Sequence, residues 1–177
     1  MLKNRRLKSW AYVFGFVTLI YSTLYIVRPV CEYLKQATPF ALLVNILGSI
    51  LLMVVLAVFW SKARIKKFLS WLLLCFIIAA YTYGLAMMQY AEEKIHFVEY
   101  GFLAYLLLNA VHLYLRGPVA YIYAFLLGSA LGWVDEGIQH ILPNRYYQTE
   151  DVILNSVSVA LGLLLVYVFN RERVNTG

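Results

Sequence analysis

Apolar residues run almost unbroken through six stretches of the chain: residues 10–27, 40–60, 68–88, 95–115, 119–141 and 152–169. Each is near the ~20 residues that a helix needs to cross a hydrocarbon core. A helix satisfies its own backbone within one such stretch, so helix is the secondary structure these stretches take. The pattern predicts an all-α fold, a polytopic transmembrane bundle of six helices. Trp10, Trp60, Trp71 and Trp133 fall near the ends of the stretches, where interfacial aromatic rings sit.

One region breaks the apolar pattern. Residues 132–140 read Gly-Trp-Val-Asp-Glu-Gly-Ile-Gln-His, a short polar turn holds Asn144 and Arg145, and residues 151–155 read Asp-Val-Ile-Leu-Asn. Helical spacing places Asp135 and Gln139 about 40° apart on one face, and Asp151 and Asn155 likewise. Gly128 and Gly132 extend the first stripe as a small-xxx-small pattern that lets helices approach closely. Ser158 and Gly162 extend the second. The polar faces of the fifth and sixth helices are therefore expected to meet inside the bundle. His96 and Glu99, one turn apart at the start of the fourth helix, join them at the same depth. Ionisable groups within a membrane are expensive and mark a functional site by default.

Composition agrees with this reading. The 177 residues are 63% hydrophobic and 14% charged, against about 45–50% and about 25% in a soluble domain. Mean hydropathy is +0.72. The formal net charge of +6 does not point to nucleic acid, because the basic residues sit in short clusters beside apolar runs. Those clusters set orientation instead. With the N-terminus inside, the inner segments carry Lys3, Arg5, Arg6, Lys8, Lys62, Arg64, Lys66, Lys67, Arg116, Arg171 and Arg173, eleven in all. The outer segments carry four: Arg28, Lys35, Lys94 and Arg145. Both termini are expected in the cytoplasm, and the polar layer on the extracytoplasmic side. The basic start and long first apolar run, with no small-x-small cleavage site after it, read as a retained signal anchor. Of two cysteines, Cys75 reads as a small core residue, and Cys31 lacks the context of a lipoprotein site.

The polar residues carry recognisable chemistry. A carboxylate beside a histidine is an acid/base pair, which gives His96, Glu99, Asp135, Glu136 and Asp151 as candidate catalytic groups. The same set can hold a divalent metal, which leaves the cofactor open. Arg145 can grip a phosphate or carboxylate in bidentate fashion. Gln139 and Asn155 can orient a ligand. Each residue also has a plainer role: Asp151 complements the dipole of the last helix, Asn155 and Ser158 bridge helices, and Arg145 serves as an ion-pair partner. Glu92, Glu93 and Lys94 read as a solvated helix cap, Asn45 as structural, and His112 as interfacial. His140, one turn from Glu136, reads as its partner or as an interface residue. No phosphate-binding loop, Gly-x-Ser-x-Gly elbow or Cys/His zinc spacing occurs.

These residues resemble the VanZ-like family of membrane proteins. The resemblance rests on Glu93-Lys94-Ile95-His96-Phe97-Val98-Glu99-Tyr100, then Asp135-Glu136-Gly137-Ile138-Gln139, then Arg145 and Asp151-Val152-Ile153-Leu154-Asn155. The family pattern has an acid-Lys-x-x-His-x-x-x-Tyr helix start, Asp-Glu-x-x-Gln at the end of the next helix, and an arginine before Asp-x-x-x-Asn. Two departures are Glu93, where Asp is common, and Val159, where a small residue is common. The resemblance covers residues 68–169. It implies a VanZ-like four-helix domain over 68–170, a two-helix N-terminal addition over 1–67 and a cytoplasmic tail over 171–177. It adds Tyr100 to the substrate-binding set. It also implies a bacterial cell membrane location and a link to teicoplanin, and so to glycopeptide antibiotic resistance.

Three functions compete at this point. The first is an enzyme, a hydrolase or transferase acting at the outer leaflet on lipid-linked or peptidoglycan-related cell-envelope material. The second is a non-enzymatic binding protein for a glycopeptide, lipid headgroup or cell-wall precursor. The third is an ion-coupled carrier, disfavoured because the acids lie at one leaflet and not at the midplane. Membrane lipids are expected partners; nucleic acid is not.

Overall fold

The computed structural model describes residues 2–58, 67–88, 90–142 and 149–174. Among these residues there are six α-helices and no strand: α1 (Leu2–Ala37), α2 (Phe40–Val58), α3 (Phe68–Met87), α4 (Ala91–Val111), α5 (Pro118–Ile141) and α6 (Thr149–Val174). The all-helical reading is what the structure has.

Local chemistry explains several helix ends. α1 stops just before Thr38-Pro39, since a residue preceding proline is pushed out of the helical region. It runs ten residues past the first apolar stretch and carries Pro29 within it. At the start of α4 the Tyr90 N–H donates to Glu93 Oε2 at 3.4 Å. α5 begins with Pro118 after Gly117, whose φ of 65° suits glycine.

Contacts set the directions. Arg6 reaches the Leu113 carbonyl and Phe16 meets Phe102 edge-on, so α1 runs antiparallel to α4. The pairs His96–Asp135 and His112–Tyr121 make α5 antiparallel to α4. Ser158 donates to the Phe97 carbonyl, and Gly162 abuts Gly101. α6 therefore runs parallel to α4. α3 lies antiparallel to both, with Tyr81 on Phe97 and Leu74 and Ile77 packed beside Val168.

α4 is the hub. Tyr100, Leu103, Ala104, Leu107 and Leu108 are fully buried in one cluster with Val13 and Ile20 of α1, Ala120 and Ala124 of α5, and Val159 and Leu163 of α6. α1 is thus part of the core around the site-bearing helices. Close approach needs small residues. Ala120, Ala124, Gly128 and Gly132 form a buried stripe at four-residue spacing on α5. A Cβ at Gly128 would sit 2.9 Å from Val159. Val159 therefore supplies volume on α6 while Gly128 supplies the gap facing it. α4 and α6 pack tightly at Gly101 and Gly162, where a Cβ on Gly162 would strike the Gly101 carbonyl.

Among the described residues, four helical segments can cross a membrane by length and composition: Lys3–Val27, Phe68–Met87, Pro118–Ile141 and Thr149–Arg171. Pro29–Ala37 and Leu42–Leu51, bent by 110°, would make a fifth if they form one span. α4 is absent from this set because its first turns carry Glu93, Lys94, His96 and Glu99. Its central position shields those residues. Outward faces stay apolar, with Phe14, Phe76, Leu126 and Trp133 exposed. Cys75 belongs to such a face: it is exposed and not a core residue, and Cys31 is the buried cysteine. α3 buries Ser70, Leu74 and Ile77 on its inner face, and position 75 points away from that stripe.

Candidate functional site

Three helix ends converge on one layer. α4 contributes His96 and Glu99 from its first turns, α5 contributes Asp135, Glu136 and Gln139 from its last, and α6 contributes Asp151 and Asn155 from its first. The antiparallel and parallel packing described above brings these ends to the same level. Asp135, Glu136, Gln139 and Asn155 are all buried.

His96 is the centre. Its Nδ1 lies 3.2 Å from Glu99 Oε2, one turn along α4, and 3.9 Å from Asp135 Oδ2 on α5. One ring nitrogen therefore faces carboxylates from two helices. The imidazole also lines a narrow cleft with Glu93, Glu136, Asp151, Leu154 and Asn155. The free space in the cleft is about that of one water molecule. Beside it, Gln139 Nε2 donates to Glu136 Oε1 at 2.9 Å.

Asp135 and Glu136 are neighbours in sequence, yet both are buried. They lie 100° apart around α5. Asp135 is 0% exposed and reaches His96, whereas Glu136 is 1% exposed and faces the cleft. Gly132 makes this possible on the α6 side, because a Cβ there would lie 3.0 Å from that of Asn155. Burying two acids side by side is costly, and the Gln139 amide offsets part of it through a charge-assisted hydrogen bond.

Tyr100 is fully buried, and its hydroxyl donates to the Leu131 carbonyl at 3.2 Å. His140 is exposed while Glu136 is buried. His112 lies at the far end of α4 against Tyr121. Arg145 falls outside the described residues. Among the described residues no group of three or more His, Cys, Asp or Glu side chains is arranged to hold a metal ion.

Sequence reasoning missed two participants, Tyr21 and the cleft-lining side of Glu93, and read Asn45 as structural. Tyr21 of α1 donates to the same Leu131 carbonyl at 2.8 Å. Its place in an apolar run hid a polar tip on an otherwise apolar body. Glu93 lines the cleft as well as closing the start of α4. Asn45 of α2 accepts from Lys94 Nζ at 3.4 Å, which ties α2 to the first turn of α4.

Searches against curated proteins and solved structures return no match. A sequence model of the VanZ/LLP1 family matches residues 4–170. The match takes in α1 and α2, which the motif resemblance left outside. It covers nearly the whole chain, and this protein belongs to the VanZ/LLP1 family of membrane proteins.

Proposed function

We propose that the layer around His96 is a working site at the extracytoplasmic leaflet, acting on lipid-linked or peptidoglycan-related cell-envelope material. Family membership links the protein to teicoplanin resistance, and such a site fits action on the material that glycopeptides bind. The observation that carries this reading is the placement of His96 between Glu99 and Asp135, with its ring on a cleft shared with Glu136, Asp151 and Asn155. A carboxylate that accepts a hydrogen bond from Nδ1–H would fix the tautomer and leave Nε2 as the basic nitrogen. The second carboxylate stabilises the ring when it accepts a proton. This is the orienting logic of a general base. The cleft admits a water-sized group beside His96, which favours hydrolysis over enclosure of a large ligand.

The orientation belongs to this proposal. Eleven basic residues flank the apolar stretches on one side and four on the other, which supports six crossings with both termini inside. Arg145 is the sequence's candidate for a substrate anion and Asn155, which lines the cleft, for positioning it, whereas Tyr100 is committed to the Leu131 carbonyl and Gln139 to Glu136. The carrier reading is weaker, because fully buried Leu103, Ala104, Leu107 and Leu108 lie along α4 beyond the cluster.

The test uses His96→Ala, Asp135→Asn and Arg145→Ala in a Gram-positive host, scored by teicoplanin susceptibility with membrane levels checked by blot. Loss of resistance at normal membrane levels supports the site. Unchanged resistance in stably expressed His96→Ala sinks it. Loss confined to Arg145→Ala favours binding without turnover.

A further inference from the structure

A second cavity, of about 570 Å³, lies at the other end of α4, between it and the start of α1. His112 is sixteen residues from His96, or about 24 Å along the helix axis. That distance approaches the thickness of a hydrocarbon core, so the cavity and the His96 layer face opposite leaflets.

Its lining is graded. α1 contributes Arg5, Ser9 and Tyr12, and α4 contributes His112, Asn109 and Tyr105. Both triplets have the same spacing of four and then three residues, so each occupies one helix face. The helices are antiparallel, which sets the triplets side by side in matching order. Moving from the helix ends toward mid-membrane, the wall passes from the Arg5 guanidinium and the His112 imidazole to a hydroxyl and an amide, and then to two exposed tyrosine rings. The Asn109 amide nitrogen is committed to the Tyr105 carbonyl at 2.8 Å, which leaves its oxygen to accept a hydrogen bond.

The two neighbouring arginines divide the work. Arg6 donates to the Leu113 carbonyl at 3.3 Å and stacks on Tyr114 at 4.5 Å, closing the end of α4. Arg5 lines the cavity.

We infer that this cavity binds the headgroup of an anionic phospholipid, with Arg5 on the phosphate, Ser9 and Asn109 at the glycerol level, and Tyr12 and Tyr105 against the first acyl carbons. The polarity gradient selects a lipid over a free anion. Inorganic phosphate would meet only the basic end, whereas a lipid spans the whole wall. Basic pockets between membrane helices have this character. The site is independent of the function proposed for the His96 layer.

The experiment titrates the purified full chain, in zwitterionic detergent, with short-chain phosphatidylglycerol, short-chain phosphatidylcholine or inorganic phosphate, and reads the thermal midpoint. Phosphatidylglycerol is expected to raise it saturably, and the other two to leave it unchanged. Arg5→Gln should weaken the midpoint titration about fivefold. Lys8→Gln, with the same loss of charge outside the cavity, should not. Ser9→Leu, which fills the wall without changing charge, provides the second test and should also weaken it. Equal stabilisation by phosphatidylcholine, full stabilisation by inorganic phosphate, or unweakened titration in both Arg5→Gln and Ser9→Leu would overturn the assignment.

Discussion

Tyr21 and Tyr100 donate hydrogen bonds to one atom, the backbone oxygen of Leu131, at 2.8 and 3.2 Å. Tyr21 belongs to α1, Tyr100 to α4 and Leu131 to α5. The shared carbonyl lies one turn before Asp135, so three helices are pinned where the acidic end of α5 begins. Removing either hydroxyl should cost about 0.6–1 kcal/mol. The double variant Tyr21→Phe/Tyr100→Phe should lose more than either single change. Thermal unfolding in detergent checks this, and an unchanged midpoint in the double variant would mean that the shared carbonyl contributes nothing.

Close helix approach makes a sharper prediction. Gly162→Ala would drive a methyl group into the Gly101 backbone and should destabilise by at least about 2 kcal/mol, since overpacking forces backbone shifts. Gly137 has open space around its Cα. Gly137→Ala should be neutral, or stabilising by up to about 1 kcal/mol through helix propensity. Membrane levels and melting of the two variants read this directly. Equal tolerance of both would refute the tight α4–α6 contact.

The Ser158 hydroxyl donates to the Phe97 carbonyl between α6 and α4. Ser158→Ala should lower stability by about 1 kcal/mol or less and leave teicoplanin resistance intact, because the hydroxyl lies outside the cleft lining. Complete loss of resistance in a stable Ser158→Ala protein would make this serine part of the working site.

Orientation yields a prediction of its own. In a Cys31→Ala/Cys75→Ala background, a membrane-impermeant thiol reagent on intact cells should label His140→Cys and spare Lys8→Cys. Both positions are exposed, so accessibility within the fold does not confuse the result. The reverse pattern would invert the assignment of the His96 layer to the outer leaflet.

Much of this architecture was legible in the sequence because membrane helices announce themselves locally. The starts of α2 and α3 fall at the starts of apolar stretches, since every backbone group in a span must be satisfied within it. The meeting of α5 and α6 was legible from Gly128, Gly132, Asp135 and Asn155, which share faces at helical spacing. Contacts that span the chain were not. Tyr21 reaches a carbonyl 110 residues away, and nothing local marks it. Cys75 shows the limit of composition: an apolar neighbourhood in a membrane protein includes the lipid-facing surface, so hydrophobicity alone does not mean core. α4 shows the converse, since a helix with polar first turns becomes the hub when its neighbours enclose it.

The central claim is that His96 and Asp135 act as parts of one site, and not as separate packing residues. The most direct measurement compares teicoplanin resistance in His96→Ala, Asp135→Asn and the double variant, with membrane level and thermal midpoint taken on the same strains. Groups that act as a unit are non-additive. The expected result is that each single change abolishes resistance, the double is no worse, and all three proteins stay folded in the membrane. Resistance that falls only in step with membrane level, or effects that simply multiply, would contradict a shared site.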